Sequence, residues 1–405
     1  MTSSSEQFGR RSDVGLAGEP RSTATLIQAA RELAPTIEAV RQAIERQREL
    51  PPSLVDAMGA AGMFSLWLPV SLGGPELNVV DYVRVIEELS RIDGSVGWCA
   101  TVASAYSFFA GCLQSNVAHR IYDGGRTVVA GAVMPSGKAF VTDSGYRVTG
   151  HWSYGSGIRH STWVLGNCVV HDRDGPRHGL NGAPVIRLAL FPTSAVEVID
   201  TWSVSGLRAT GSHDYRVADL FVPEDHTIDY SAADAVQTGT LYAVPLISVL
   251  AVAIAAVPLG IARSAIDELV ALASAKTPYG SLTLLRDKPA VQADVARAEV
   301  LLGSARSYLF SMVGELWEDV AGRVAASMQR RAMVRLACTY AAQAASQAVD
   351  LMYNAAGGTA IFESGRLERC FRDVHACTQH IATSTGNYEA GGRVLLGLDP
   401  GTPRL

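Results

Sequence analysis

The sequence has few of the features that mark a nucleic-acid-binding or metal-binding protein. Only 18% of its 405 residues are charged, the formal net charge is −5, and lysine and arginine are scattered along the chain. Because a nucleic-acid partner normally needs a basic face, none is expected. The six cysteines form no CxxC pair and show no ligand spacing with histidine. This pattern predicts reduced thiols, no metal site and a cytoplasmic location.

The common phosphate-binding and hydrolase motifs are also missing. No predicted strand is followed by GxGxxG, and no P-loop occurs. Gly155-Ser156-Gly157 resembles part of a serine-hydrolase elbow, but the full GxSxG is missing and the segment lies in a strand region. A Rossmann dinucleotide site, a P-loop enzyme and a serine hydrolase are therefore not indicated.

One apolar run raises the question of a membrane span. Residues 243–262 carry no charge and are numerous enough to cross a bilayer. Pro245 and Pro258 interrupt the run, and Arg263 follows at once, so a helix buried in a bundle explains it better and no membrane partner is expected. Residues 1–23 are polar and contain an arginine pair with no apolar segment after it, which predicts a flexible tail rather than a signal sequence.

The rest of the chain divides into three domains by periodicity. Residues 24–125 repeat apolar side chains every three or four positions, as in amphipathic helices. Residues 126–235 alternate β-branched or aromatic with polar residues between Gly, Asp and Pro, which predicts an antiparallel β domain. Residues 236–405 return to long alanine-rich helical periods and predict a four-helix bundle. The predicted bundle helices are 241–275, 289–318, 325–354 and 366–380.

The stretch from Gly357 to His380 combines a glycine pair with a charged helical segment that carries two histidines. Glycines allow a ligand to approach the backbone closely. His375 and His380 are five residues apart, about 140° around a helix, so they are not placed to share a metal. By its chemistry alone, this stretch fits a ligand-contacting loop and a surface helix hairpin equally well.

Five segments carry a resemblance to a known family. They are GMFSLWLPVSLGG, ELSRIDGSVGWCATV, GYRVTGHWSYGSGIRHSTWVLGN, WSVSGLRATGSHDYRVADLFVPED and GGTAIFESGRLERCFRDVHA. On these segments the chain resembles the acyl-CoA dehydrogenase superfamily from about Leu26 to Leu398. The resemblance implies an α+β multidomain fold with an N-terminal helical domain, a central antiparallel β domain and a C-terminal four-helix bundle. It also implies a flavin cofactor, and a homotetramer in which bundle residues of one subunit complete the flavin site of its neighbour.

The segment RDVHACTQH distinguishes two branches of this superfamily. Dehydrogenases commonly carry a catalytic glutamate eight residues after the aspartate of the RD pair, and here that position is Ile381, which cannot accept a proton. The segment resembles instead the flavin-dependent monooxygenases, the oxygenase components of two-component aromatic hydroxylases. That resemblance implies reduced flavin (FMNH2 or FADH2) and O2 as cofactors, a flavin C4a-hydroperoxide, and hydroxylation of a small aromatic or heteroaromatic substrate. A separate reductase would supply the flavin, so NAD(P)H would act only indirectly.

The same resemblance implies a set of site residues. His380 would act as a general base or hold the hydroperoxide, since the ordinary pKa of histidine suits neutral pH. Ser156 would bond the N5 and C4a region of the flavin. Lys276, where dehydrogenases usually carry arginine, offers a point charge rather than a bidentate fork, which suits a flavin that binds reduced and leaves oxidised. The implied substrate pocket is Trp98, Tyr106, Phe109 and Tyr154, and the implied cofactor-binding residues are Trp152, Ser156, Gly157, Ser212, Lys276, Gln292, Gly357, Gly358 and Arg372.

Two alternatives stay open at this point. One is an acyl-CoA dehydrogenase whose base is displaced to Glu363 or Glu389. The other is a flavin-free binding scaffold. Independently of these, one interpretation makes Trp98 and Trp152 ordinary core residues and His380 a structural residue.

Overall fold

The structure, a computed structural model, describes residues 21–122, 127–179, 182–229, 237–403 and 405. Most of the predicted tail, residues 1–23, therefore lies outside the described residues. The described α-helices are α1 (Thr23–Glu32), α2 (Ala34–Gln47), α3 (Pro52–Ala60), α4 (Val79–Ile92), α5 (Gly94–Ser107), α6 (Ser115–Tyr122), α7 (Leu246–Ala275), α8 (Pro289–Ala321), α9 (Met328–Ala356), α10 (Arg366–Thr378) and α11 (Gly386–Leu395). The described strands are β1 (Val129–Thr142), β2 (Gly145–Gly155), β3 (Trp163–Asp172), β4 (Gly175–Pro176), β5 (Ile186–Pro192), β6 (Glu197–Ile199), β7 (His213–Pro223) and β8 (Thr227–Ile228).

Helices α1–α6 form the N-terminal layer. The side chain of Asn78 caps α4 by accepting the Asp81 N–H at 2.8 Å, which satisfies one of the free donors of the first turn. Helix α4 is strongly amphipathic and packs its apolar face on α7 and α5. Helix α5 is buried along almost its whole surface, so it runs through the protein rather than over it.

The central sheet is mixed rather than wholly antiparallel as predicted. Its strand order is β6-β7-β2-β1-β3-β5-β8, with β4 paired to β3. Every pairing between these strands is antiparallel except that of β1 with β3, where Val129 lies opposite Trp163 in parallel register. The cause is connectivity: β1 and β2 form a hairpin, and β3 then returns along the other edge of β1. Two successive reversals make β1 and β3 point the same way.

The long helices α7, α8, α9 and α10 form the C-terminal bundle, in agreement with the prediction, and α11 packs on α9. Helix α7 is long and apolar enough to cross a membrane by length and composition alone, but 78% of its most apolar window is buried within the protein. It packs against α4, α5, α9 and α10. This burial explains its uniform apolar character, as expected for the central helix of a bundle.

The hydrophobic core of the described residues has two main parts. One is continuous through the N-terminal helices and the bundle, and the other fills the sheet around Trp152, Phe191 and Tyr215. Helix α5 packs on β1, on the turn at residues 208–210 and on α10. The side chains of the candidate site lie around this helix.

Candidate active site

An ion-pair network positions the N-terminus of α5. The Asp93 carboxylate caps α5 by accepting the N–H groups of Ser95 and Val96 at 3.0 and 3.1 Å. It also pairs with the guanidinium of Arg369, a buried residue of α10, at 2.8 Å. One carboxylate thus links the start of α5 to α10. Removing either partner of this buried pair would leave an uncompensated charge, so the pair holds α5 and α10 together.

Asp373 extends this network to the turn before β7. It lies one helical turn after Arg369, at 3.6 Å from its guanidinium, and its Oδ1 accepts the Leu207 N–H at 2.6 Å. Burial raises the pKa of Asp373 to about 7; the nearby Asp93 and Glu45 act in the same direction, whereas Arg369 opposes it. Gly206 must be glycine for this contact, because a Cβ there would lie 2.0 Å from the Arg372 carbonyl oxygen.

A chain of hydroxyl groups leads from this turn to Trp98 on α5. The indole Nε1–H of Trp98 donates to Ser156 Oγ at 3.0 Å. Ser156 Oγ lies 2.7 Å from Ser212 Oγ, and Ser212 Oγ lies 2.7 Å from Thr210 Oγ1. All four residues are buried. The structure therefore brings Trp98, Ser156 and Ser212 together, and it adds Thr210, which the sequence did not single out.

The end of β2 is bent so that Ser156 faces inward. The β2–β7 register shifts between Trp152 and Gly155, which marks a bulge, and Tyr154 has φ +67°. A bulky residue in the left-handed region is strained, and such strain persists only where the surroundings enforce it. Gly157 follows with φ +75°, and a Cβ there would lie 2.8 Å from His160 Nε2, so glycine is required by both conformation and space.

His380 lies beside Trp98, with ring centroids 5.6 Å apart in an edge-on arrangement. Burial, together with the positive charge of Arg335, lowers the pKa of His380 to about 4. Its Nδ1 accepts the N–H of Ala382 at 3.1 Å, so the proton of the neutral ring is on Nε2. Nε2 has no hydrogen bond among the described residues, which leaves a donor available to a bound molecule.

This hydrogen bond bears differently on the two predicted roles of His380. A donor at Nε2 can hold an oxygen atom in the site. A general base would need a lone pair on Nε2, hence the opposite tautomer and the loss of the bond from Ala382. The predicted helix 366–380 also ends early, because α10 stops at Thr378 and His380 begins the following 3-10 turn. His375 is separate from the site and bonds Asp350 at 2.9 Å.

The predicted aromatic wall continues along α5. Tyr106 lies eight residues after Trp98, about 12 Å along the helix, and its hydroxyl donates to the Gly131 carbonyl at 3.2 Å. Phe109 is buried and packs on Tyr106 with centroids 6.2 Å apart. Burial raises the pKa of Tyr106, so its phenol stays protonated at neutral pH. Tyr106 and Phe109 thus form an aromatic pair at the C-terminal end of α5, next to β1.

A second predicted group lies on the protein surface. Gly357 and Gly358 are exposed, Gly357 has φ +60°, and a Cβ on either would meet nothing within 4 Å. Lys276 Nζ donates to the Ala356 carbonyl and to Thr359 Oγ1, both at 2.7 Å. Its charge thus stabilises the C-terminus of α9. Gln292 donates to the Arg286 carbonyl at 3.0 Å.

Four of the predicted ligand residues are buried, turned outward or already paired in this chain. Trp152 is fully buried in the sheet, stacks on Tyr215 and donates to the Asn167 carbonyl, so it has no surface for a cofactor. Tyr154 is 70% exposed, because the bulge turns it outward away from Ser156. Arg372 is held by Glu368 and Glu45 in ion pairs. Ser212, one of the implied cofactor-binding residues, is buried, and its hydroxyl is used by Ser156 and Thr210.

The two glutamates considered as displaced dehydrogenase bases are both exposed. Glu363 lies in the turn before α10, and Glu389 lies on α11. No contact of either with Trp98 or His380 is found among the described residues. The carboxylates that do lie near the start of α5, Asp93 and Asp373, are engaged by Arg369.

Sequence reasoning missed the residues that position the site. Neither Asp93 nor Arg369 was singled out from the sequence as a site residue, and Asp373 entered only as the aspartate of the RD pair. A signal existed: Arg369 and Asp373 are four residues apart and flank apolar positions, so they lie on the face of α10 that includes its buried residues. Arg335 gave no signal in the sequence. It is buried on α9 and donates to the Ile381 carbonyl at 3.4 Å.

Comparison with known proteins agrees with this architecture. Residues 23–112 match the N-terminal domain of acyl-CoA dehydrogenases, and residues 252–385 match their C-terminal domain. The fold and the site thus define a protein of the acyl-CoA dehydrogenase type. The indole-3-acetate monooxygenase of Pseudomonas putida is 30% identical over 356 residues, which are 88% of this chain and 90% of that protein.

Two further similarities concern a curated relative and a solved structure. The oxygenase component of the FADH2-dependent resorcinol hydroxylase of a Rhizobium species is 26% identical over 88% of this chain and 90% of that protein. The structure of XiaF from a Streptomyces species, in complex with FADH2 and glycerol, superposes with a TM-score of 0.87 at 27% identity. That match covers 95% of this chain and 98% of XiaF. The chain belongs to the flavin-dependent monooxygenases of the acyl-CoA dehydrogenase superfamily.

Proposed function

We propose that this protein uses reduced flavin and O2 to hydroxylate a small aromatic or heteroaromatic substrate, with the flavin supplied by a separate reductase. The observation that carries the proposal is the donor at Nε2 of His380, whose ring packs edge-on against Trp98, the residue that bonds Ser156. The similarity to monooxygenases named for indole-3-acetate and resorcinol supports the aromatic class of substrate.

The residues present fit a flavin. Ser156 accepts one hydrogen bond from Trp98 and has a second lone pair to offer. His380 Nε2–H has no partner among the described residues, and the backbone at Gly357 and Gly358 is open to close approach. Ser156 would contact the flavin ring near N5, and the glycine pair would contact a flavin. When bound, the reduced flavin supplies the electrons that activate O2 and the position from which one oxygen atom is transferred.

The chain's own contribution is orientation and the exclusion of water. Trp98 and Phe109 present apolar surface in a buried region, where hydrogen bonds are stronger than in water. The neutral His380 ring donates its Nε2 proton to an oxygen atom in the site. Because its pKa is about 4, it keeps this single-donor state throughout the neutral range.

Assembly as a homotetramer is part of this proposal. Apolar side chains are exposed close to the glycine pair in the chain, at Ile361 (63%) and Phe362 (61%), and in the loop after Lys276, at Tyr279 (107%) and Leu282 (103%). Large exposed apolar groups mark interaction surfaces. A neighbouring subunit that covers them would bring Gly357 and Gly358 to its own flavin. Light scattering of Phe362→Asp should show smaller assemblies, and an unchanged mass would count against this part. The six free cysteines support a cytoplasmic location.

The test is a coupled assay. Purified protein receives NADH, a general flavin reductase, FMN or FAD, and ¹⁸O2, with a panel of phenols and indoles. Mass spectrometry should detect a product that carries one ¹⁸O atom. His380→Ala should lose or uncouple this product while the assembly stays intact. A tightly bound flavin that an acyl-CoA bleaches under anaerobic conditions, with no labelled product from the panel, would show a dehydrogenase instead.

A further inference from the structure

The hydroxyl chain beside Trp98 has a direction that proton counting determines. Thr210 Oγ1 lies 2.8 Å from the Leu207 carbonyl oxygen, which can only accept, so Thr210 uses its one proton there. Ser212 must then be the donor to Thr210. With its proton used, Ser212 can only accept from Ser156. The indole of Trp98 can only donate, so the order runs from Trp98 through Ser156, Ser212 and Thr210 to Leu207.

The last acceptor of this chain is held firmly. Leu207 has φ +52°, and its N–H is bound by the buried Asp373 carboxylate. Its carbonyl also accepts the indole N–H of Trp202 at 3.1 Å. The Leu207–Arg208 peptide, which carries this carbonyl, therefore cannot turn over without loss of the bonds from Trp202 and Thr210, and Asp373 holds the preceding peptide. Its carbonyl stays an acceptor, and the order of the whole chain stays fixed.

The consequence falls on Ser156. Its only proton is committed to Ser212, and one of its two lone pairs is occupied by Trp98. Toward a bound molecule, Ser156 Oγ therefore offers a lone pair and no proton. A buried acceptor of this kind favours a ligand that carries N–H or O–H and disfavours a ligand that presents a second lone pair.

The two redox states of a flavin differ in this respect at N5. Reduced flavin carries a hydrogen on N5 and is a donor, whereas oxidised flavin has a lone pair there. We propose that Thr210 and Ser212 are positioning residues that hold Ser156 as an acceptor, so that the site binds reduced flavin more tightly than oxidised flavin. The proposal rests on the proposed function, in which Ser156 contacts the flavin near N5. It explains why a hydroxyl chain is buried where one serine would suffice for contact.

The experiment measures binding rather than turnover. Under anaerobic conditions, the dissociation constants of dithionite-reduced and oxidised FAD and FMN are measured for the full-length protein by ultrafiltration and tryptophan quenching. Ser212→Ala removes the acceptor for the Ser156 proton, which can then donate to oxidised N5. The preference for reduced over oxidised flavin should fall about five- to tenfold, the equivalent of one hydrogen bond. Thr210→Val, which is nearly isosteric, should move the ratio in the same direction. It keeps the proposal testable if Ser212→Ala does not fold.

Ser107→Ala is the matched control. Ser107 is another buried serine of α5, and its hydroxyl donates to the Ser104 carbonyl at 2.7 Å, outside the chain. It should leave the binding ratio unchanged. If the ratio of the dissociation constants for oxidised and reduced flavin is the same in wild type and in both chain variants, the positioning role is overturned while the proposed function stands. If the wild type binds neither form, both proposals fail.

Discussion

Arg369→Met is the most informative perturbation of the site's support. Arg369 is 5% exposed and lies 2.8 Å from Asp93, 3.6 Å from Asp373 and 3.8 Å from Glu45. Methionine fills a similar length but leaves three carboxylates close together in a buried region. Breaking a buried ion pair by removing one partner costs about 3–5 kcal/mol. With an m value of about 3 kcal/mol per M, the urea midpoint should fall by at least about 1 M.

The loss should depend on pH in a defined direction. Without the guanidinium, the remaining carboxylates take up protons more readily, because the opposing charge that favours their ionised forms is gone. The Asp373 pKa, already raised to about 7, should rise further. Protonation removes the repulsion, so the variant should lose less stability at pH 5.5 than at pH 8.

The assay is urea unfolding followed by circular dichroism at both pH values. Arg216→Met is the control, because Arg216 forms an ion pair with Glu197 at a similar distance, 2.7 Å, but both side chains are more than half exposed. Exposed pairs contribute little, so no clear shift is expected. If Arg369→Met shifts the midpoint no more than Arg216→Met at pH 8, the buried network does not stabilise the site.

Three other predictions follow from single residues. The pKa of His380 is lowered to about 4, so the neutral ring contributes stability above pH 6.5 that is lost as pH falls toward 4. In His380→Gln the free energy of unfolding should therefore fall less over that window, by at most about 3 kcal/mol. Asp373 has the opposite effect: because its pKa is raised, the free energy of unfolding falls as pH rises from about 4 to 7. Asp373→Asn should reduce that fall in urea titrations, and an unchanged dependence on pH would be the contrary result. Gly206→Ala places a Cβ 2.0 Å from the Arg372 carbonyl oxygen and should lower the thermal midpoint and weaken flavin binding, whereas normal values would show that the turn can move.

Local patterns were enough for the architecture. The 3.6-residue period predicted the helices of both helical domains, and the period of two predicted the β domain between them, because each pattern records which face of an element is buried. The motif around Asp373 and the isoleucine at position 381 indicated the monooxygenase branch, which the comparisons confirm. The parallel pairing of β1 and β3 was not predictable from those periods, since they carry no information on strand order.

The candidate site, like the fold, was predictable from the sequence only in part. The sequence by itself determined which side chains are available: an indole, a serine and a histidine on three segments far apart in the chain. Only the tertiary structure decided that Trp98, Ser156 and His380 meet, that Trp152 and Tyr154 do not join them, and that Ser156 has no proton left to donate. The physical reason is that directions of hydrogen bonds and the burial of charges such as Arg369 arise between elements. They depend on distances that no local period of the chain encodes.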